Sequence, residues 1–342
     1  MEDVSYRTLS KLNQSLLKEI LISPKAFLDA KARYESPKES TEEYFVFGSM
    51  VDIMLTGTKK EFDEKFYRIP DDIKCTDSIK TVVTEVYNEV RENDLSSLET
   101  YRDEILKHCK YQGYQNNWKD DTRIDKVIEQ GSDYFNILAE SEGKIKITDT
   151  EYSNALACKM ALQADEFTKV FVDRKLDKNV EFLDKVIIEF DVDGIELKGE
   201  LDRVVINHNT KTVCPLDFKT TSKPVYSFES SFWFFRYDFQ AATYMAGILK
   251  HPIIEDLIEK QGYKLDPFRF IVVEKDLRNN PLVFQVGNQA LQIGYMGGEL
   301  SSGKTLEGLL QAVARYQYAE ENNRWQYPME YYQNQGNIFI EP

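Results

Sequence analysis

Lys198-Gly-Glu-Leu-Asp202 and Leu216-Asp-Phe-Lys219 stand on either side of Asn207-His-Asn-Thr-Lys211. The first lies in Ile195–Ile206, rich in Val, Ile and Leu, and the second in Thr212–Lys219. The Asn-rich segment between them has the chemistry of a turn, so the three pieces predict a β-hairpin. The midpoint of Asp202 and Asp217 falls at Asn209/Thr210, the middle of that turn. In simple register the two aspartates are therefore opposite each other. Like charges directly opposed, about 5 Å apart at Cβ, destabilise a sheet unless something positive lies between them. Side chains alternate along a strand, so Asp217 and Lys219 share a face. The hairpin predicts two carboxylates and one ammonium on one face.

Hard oxygen ligands at this density suit Mg²⁺ or Mn²⁺. Such a metal can bind a phosphate oxygen and lower the pKa of an attacking water. Lys219 could orient that water or offset charge building on the phosphorane. A solvated hairpin face with a routine salt bridge would carry the same residues, and a bare D-x-K is common by chance. Downstream, Phe232-Trp-Phe-Phe235 leads into Tyr237-Asp-Phe-Gln-Ala-Ala-Thr-Tyr244. Gln240 and Tyr244 are four apart and stack on one helical face. They could hold a substrate backbone or position water. Taken alone, a surface glutamine and a core aromatic explain them better.

In these segments the chain resembles the PD-(D/E)XK nuclease superfamily. Gly199-Glu-Leu-Asp202, Asp217-Phe-Lys-Thr-Thr221 and Gln240…Tyr244 match its ordered motifs. The exodeoxyribonuclease VIII and RecB-type branch, often phage-encoded, is the most similar. Ser15-Leu-Leu-Lys…Ser23-Pro-Lys-Ala-Phe27 resembles that branch's N-terminal helix, and Phe47-Gly-Ser-Met-Val-Asp52 its Gly-x-x-x-His motif. Arg269-Phe-Ile-Val-Val-Glu-Lys275 resembles its late strand, and Trp325-Gln-Tyr327 its Trp-x-x-Tyr-like ending.

The resemblance implies an α/β fold: a restriction-endonuclease-like core with a central mixed sheet flanked by helices. It implies a Mg²⁺-dependent DNA exonuclease that resects duplex ends for recombination or repair. Asp202, Asp217 and Asp52 would hold the metal, Lys219 would align water, and Gln240 and Tyr244 would contact substrate or support Lys219. DNA, a single-strand annealing protein and further copies of the chain are the partners it suggests. The family usually has a histidine where this chain has Asp52. Aspartate also ligates Mg²⁺, and a lone carboxylate on an otherwise apolar helix is costly, which favours a ligand over a cap or surface residue. Glu200 shares a strand face with Asp202 and is either an additional ligand or a bystander. Two rival functions stay open: a nuclease for branched or single-stranded nucleic acid, and a non-catalytic DNA-binding or assembly subunit whose metal site is lost.

The 342 residues, 42% hydrophobic with 20 Tyr and 20 Phe, can bury a large core. No apolar run approaches the roughly 20 residues of a membrane span, and Met1-Glu-Asp-Val-Ser-Tyr6 lacks a signal-peptide pattern, so the expectation is cytoplasmic. Cys75, Cys109, Cys158 and Cys214 contain no C-x-x-C, which argues against zinc. Nothing after Cys214 supplies the cysteine trio of the iron–sulfur relatives. They are expected to be free thiols. The net charge of −15 argues against non-specific duplex binding by the whole surface. Lys198, Arg203, Lys219, Lys223 and Arg236 are the candidates to meet phosphates locally.

Periodicity predicts a helix over 7–30 broken at Ser23-Pro24, and a buried helix over 44–56. Residues 76–140 form a charged helical stretch interrupted at Gln112–Trp118, and 145–172 contain another helix. A β-rich centre occupies 181–219, with a strong turn at Asp193-Gly194. Helix 238–250, strands 268–275 and 282–287, and a long helix over about 288–322 follow. One nuclease domain, 1–342, with a helical insertion at about 76–140 is the expected organisation. Gly298-Glu-Leu-Ser-Ser-Gly-Lys-Thr305 matches the P-loop pattern letter for letter. A working P-loop needs a strand running into it, and Gln292-Ile-Gly-Tyr-Met-Gly-Gly298 is not one, so the match is read as coincidence.

Overall fold

The computed structural model of the chain describes residues 6, 10–35, 42–92 and 97–340. Two units are present: Met1–Thr56 with Ala157–Pro342, and Gly57–Leu156. In the first, seven strands among the described residues make one sheet: β1 (Leu12–Asn13), β2 (Val180–Val192), β3 (Ile195–Asn207), β4 (Thr212–Thr221), β5 (Lys264–Leu265), β6 (Arg269–Glu274) and β7 (Leu282–Gln285). Their spatial order is β1-β3-β4-β6-β7, with β2 also on β3 and β5 also on β4. The sheet is mixed, as expected: β1–β3, β4–β5 and β4–β6 run parallel and the other pairs antiparallel.

Two turns set the register. Asp193 and Gly194 have φ of 52° and 85°, the left-handed pair that a two-residue hairpin loop requires. They pair Val192 with Ile195 and carry the β2–β3 ladder out to Val180↔Asn207. The Asn207–Lys211 turn closes with Asn207 Oδ1 accepting from the backbone N–H groups of Asn209 and Thr210. The β3–β4 ladder then runs from Asn207↔Thr212 to Arg203↔Leu216.

Helices α1 (Gln14–Glu19), α2 (Pro24–Glu35), α3 (Glu43–Thr56), α4 (Phe228–Phe234), α5 (Tyr237–Ile248), α6 (Pro252–Glu259), α7 (Asn288–Met296) and α8 (Leu309–Asn322) flank this sheet. Leu17, Ile20 and Phe27 pack with Ile188, Leu201, Val204, Phe239, Ile248, Phe270 and Val313 in one buried core. Burial of this apolar area is the main stabilising term.

The other unit has helices Lys59–Lys65, Asp77–Val90, Arg102–Gln112 and Asp120–Glu140, with Phe66–Ile69 paired parallel to Ile145–Thr148. Ile79, Val83, Val86, Ile105, Val127 and Phe135 form its own core. Gly113, at φ 69°, ends Arg102–Gln112 where the interruption was expected.

Two expectations need correction. The helix over 7–30 begins instead as β1, because Leu12 and Asn13 pair with Leu197 and Lys198; Asn13 then caps α1 by accepting from the Leu16 N–H at 2.9 Å. Residues 7–9 lie outside the described ones. The helix expected within 145–172 is present, as Asp149–Ala164. The long helix over 288–322 is two helices. Gly297, at φ 79°, stops α7, and a small hairpin pairs Gly298–Glu299 with Thr305–Leu306 before α8. The P-loop-like segment is that hairpin, entered from a helix rather than a strand. All four cysteines are buried free thiols. Among the described residues no helix is long and apolar enough to cross a membrane.

Candidate active site

The β3–β4 ladder is paired as far as Arg203↔Leu216, and the next position outward sets Asp202 across from Asp217. Asp202 Oδ2 accepts the backbone N–H of Phe218 at 2.9 Å. Lys219 makes an ion pair with Asp217 Oδ1 from the same strand face. Its ammonium also lies 4.8 Å from the centre of the Tyr237 ring, an attractive placement for a cation. Helix α5 supplies Gln240, whose Nε2 donates to Asp217 Oδ2 at 3.0 Å. Tyr244, one turn on, hydrogen bonds with Gln240 and is buried. It packs so tightly on β3 that a Cβ at Gly199 would lie 2.9 Å from its ring. Gly199 is therefore the residue that lets α5 approach the hairpin.

Asp52 comes from the last turn of α3. Buried Arg203 holds that turn, donating to Leu55 O at 2.5 Å and to Asp184 Oδ1 at 2.6 Å. A guanidinium at a helix C-terminus is favourable because unpaired carbonyls gather there. Between Asp52 and Asp202 lies Lys185 of β2. Its Nζ donates to the two Asp52 oxygens at 2.7 and 2.6 Å and to Asp202 Oδ1 at 3.0 Å.

Burial and the Asp202 charge push the Asp217 carboxyl up to about 7, despite Lys219. Burial works the same way on Asp202, but the charges of Lys185 and Lys219 and the Phe218 N–H outweigh it and hold Asp202 below its ordinary value. The two facing carboxyls are thus pushed apart, one low and one high. Burial and the Asp202 charge raise Asp52. Burial alone would lower Lys185 and Lys219, yet Asp202 and Asp52 raise the first and Asp217 the second.

This donor set fits a hard divalent cation. Asp217 is 4% exposed. Its Oδ1 has an ion pair with Lys219 but no hydrogen bond of good geometry, and an under-satisfied buried carboxylate beside another calls for more positive charge. Among the described residues no three carboxylate, imidazole or thiol groups converge as a ready-made metal site. The third carboxylate, Asp52, is engaged by Lys185.

Asp202, Asp217, Lys219 and Gln240 are brought together, Tyr244 packs beside them against Gly199, and Asp52 joins Asp202 through Lys185, with two qualifications. Gln240 meets Asp217 and not Lys219. Glu200, two residues from Asp202, lines a cavity with Tyr6, Tyr34 and Tyr244. Of the candidate phosphate contacts, Lys198, Arg203 and Arg236 are committed internally. Lys198 donates to Tyr6 O, Arg203 is tied as above, and Arg236 pairs with Asp238 and Glu307 O. Lys223 is exposed. Sequence reasoning missed Lys185 and Tyr237. Lys185 was legible: the hairpin reflection that pairs Asp202 with Asp217 across Asn209/Thr210 pairs Asp202 with Lys185 across Asp193-Gly194.

The sequence model of the PD-(D/E)XK nuclease superfamily matches residues 25–253. Among solved structures, the crystal structure of a "Putative exonuclease" from Eubacterium rectale is similar at 13% identity and a TM-score of 0.32, covering 83% of this chain and 92% of that one. No curated protein matches the chain in sequence.

Proposed function

We propose that this chain, which belongs to the PD-(D/E)XK nuclease superfamily, is a Mg²⁺- or Mn²⁺-dependent DNA exonuclease that resects duplex ends. The observation that carries this is the opposed pair Asp202/Asp217 with Lys219 on the Asp217 face. Asp202 and Asp217 would hold the metal, joined by Asp52 once it is released from Lys185. When bound, the metal supplies Lewis-acid activation of a phosphate oxygen and of water. Lys219, anchored on Asp217 and beside Tyr237, orients the attacking water. Gln240 fixes Asp217 against rotation, and Tyr244 holds Gln240. The whole chain, 1–342, acts as one nuclease with a helical insertion at about 76–140, and it works with an annealing protein and further copies of itself.

One observation favours a second reading, a DNA-binding subunit with a degenerate site: Lys185 already occupies the gap between Asp52 and Asp202. An end-labelled linear duplex and a closed circle, each incubated with Mg²⁺ and with chelator, separate these. Shortening of the linear duplex alone, lost on chelation and in Asp217→Asn, is the expected result. Cutting of the circle overturns the exonuclease assignment. Inertness on both, in Mg²⁺ and Mn²⁺, favours the second reading.

A further inference from the structure

Lys185 sits across from Asp202 at the one position of the β2–β3 ladder, between Val180 and Val192, where no pairing is made. Its φ is 49°, left-handed backbone that L-residues with long side chains rarely adopt. The register is unshifted on either side, with Asp184↔Arg203 and Val186↔Leu201, so the break is local and serves one side chain. That side chain ends in an ammonium with three protons. Its contacts are both oxygens of Asp52 and one of Asp202. A divalent cation shared by Asp52 and Asp202 would need the same place, and two positive centres cannot share it. A third of the Lys185 side chain is exposed, so its stem has a way out to solvent.

We propose that Lys185 is the resident counter-ion of the metal site, which it leaves when the metal enters, and that the freed ammonium then takes a backbone phosphate of the nucleic acid as its new partner. This rests on Asp202 and Asp217 being a metal centre, and it adds how that centre is loaded. Metal alone must break three charge-assisted contacts of Lys185 and leave the ammonium with only solvent. Metal together with a polyanion gives the ammonium a replacement. Metal and nucleic acid therefore bind cooperatively, and each strengthens the other by the same factor. The arrangement keeps the metal site poorly charged until a substrate is present.

The test is Mn²⁺ binding to the full chain, followed by electron paramagnetic resonance of the free ion. It is run with and without a phosphorothioate duplex that resists cleavage. In the parent, the duplex should tighten Mn²⁺ about tenfold. Lys185→Met keeps the stem and removes the charge. Without duplex it should bind Mn²⁺ about tenfold more tightly than the parent, and the duplex should add less than about threefold. Equal or weaker Mn²⁺ binding by folded Lys185→Met overturns the proposal and leaves the metal centre standing. Absence of Mn²⁺ binding in parent and variant, with or without duplex, overturns the metal centre and the proposal with it. Should Lys185→Met not fold, Lys185→Arg gives the answer. Its larger, always-charged fork fills the same gap and should weaken duplex-free Mn²⁺ binding several-fold. Parent-like affinity in that variant overturns the proposal.

Discussion

The backbone N–H of Phe218 donates to Asp202 Oδ2, so the carboxylate of β3 is fastened to the main chain of β4 between Asp217 and Lys219. The three charged groups therefore cannot move independently, and a change at one is read at the others. Asp217→Asn should abolish cleavage in Mg²⁺, because a neutral amide neither repels Asp202 nor attracts the metal. Its thermal stability in chelator should equal or exceed the parent's. Full activity with Mg²⁺ would remove Asp217 from the site.

The same carboxyl has a pH signature. Its value, raised from 3.8 to about 7, means that the folded protein keeps a proton which the unfolded chain releases. Where the native state binds more protons, stability falls as pH rises. The loss runs from about pH 4 to about pH 7 and then levels. Asp217→Asn lacks this loss. Melting both proteins in chelator at about pH 5 and about pH 8 should show the variant's advantage growing with pH. A constant gap would place the titration elsewhere.

Lys219→Ala should lower turnover by roughly 100- to 10,000-fold, the range for a group positioning a proton or water. It should still bind Mn²⁺, since an ammonium is no ligand. Titration of Mn²⁺ against the folded variant checks this. Loss of fold and metal together would make Lys219 a structural ion-pair partner.

Asp52→Ala should weaken Mn²⁺ binding and cut activity, while Asp52→His should retain part of it with Mn²⁺ preferred over Mg²⁺. Imidazole is a softer donor than carboxylate and suits later transition metals. Activity of Asp52→Ala within a few-fold of the parent would mean that Asp52 serves only Lys185 and Thr56.

Gly199→Ala places a methyl 2.9 Å from the Tyr244 ring and 3.1 Å from Ile188. Overpacking of this kind costs about 1–3 kcal/mol. The displaced Tyr244 should carry Gln240 away from Asp217, so turnover should fall beyond the loss of folded protein. A stable variant with full turnover would show that α5 need not sit so close.

The sequence yielded the pairings that local turns dictate. Both hairpin registers follow from turn chemistry at Asp193-Gly194 and Asn207–Lys211, and with them the facing of Asp202 and Asp217. Non-local pairings were not legible. Leu12–Asn13 on β3, and Phe66–Ile69 with Ile145–Thr148, join segments far apart in the chain and are too short to show a period of two. The helix over 288–322 was misjudged because apolar periodicity resumes in α8 after the Gly297 stop. Lys185 was missed although the Asp193-Gly194 turn already places it across from Asp202, because a lysine on a strand ordinarily marks a solvated face.

With Lys185 and Lys219 in place, the three carboxylates around the site are met by two ammonium groups before any metal arrives. Folding and metallation are then separate events, unlike small metal-nucleated domains that unfold when stripped. A chelator should silence the protein while leaving its melting transition nearly intact, and resupplied metal should restore function without refolding. Such a chain can be made, stored and carried in metal-poor surroundings as an intact, latent fold.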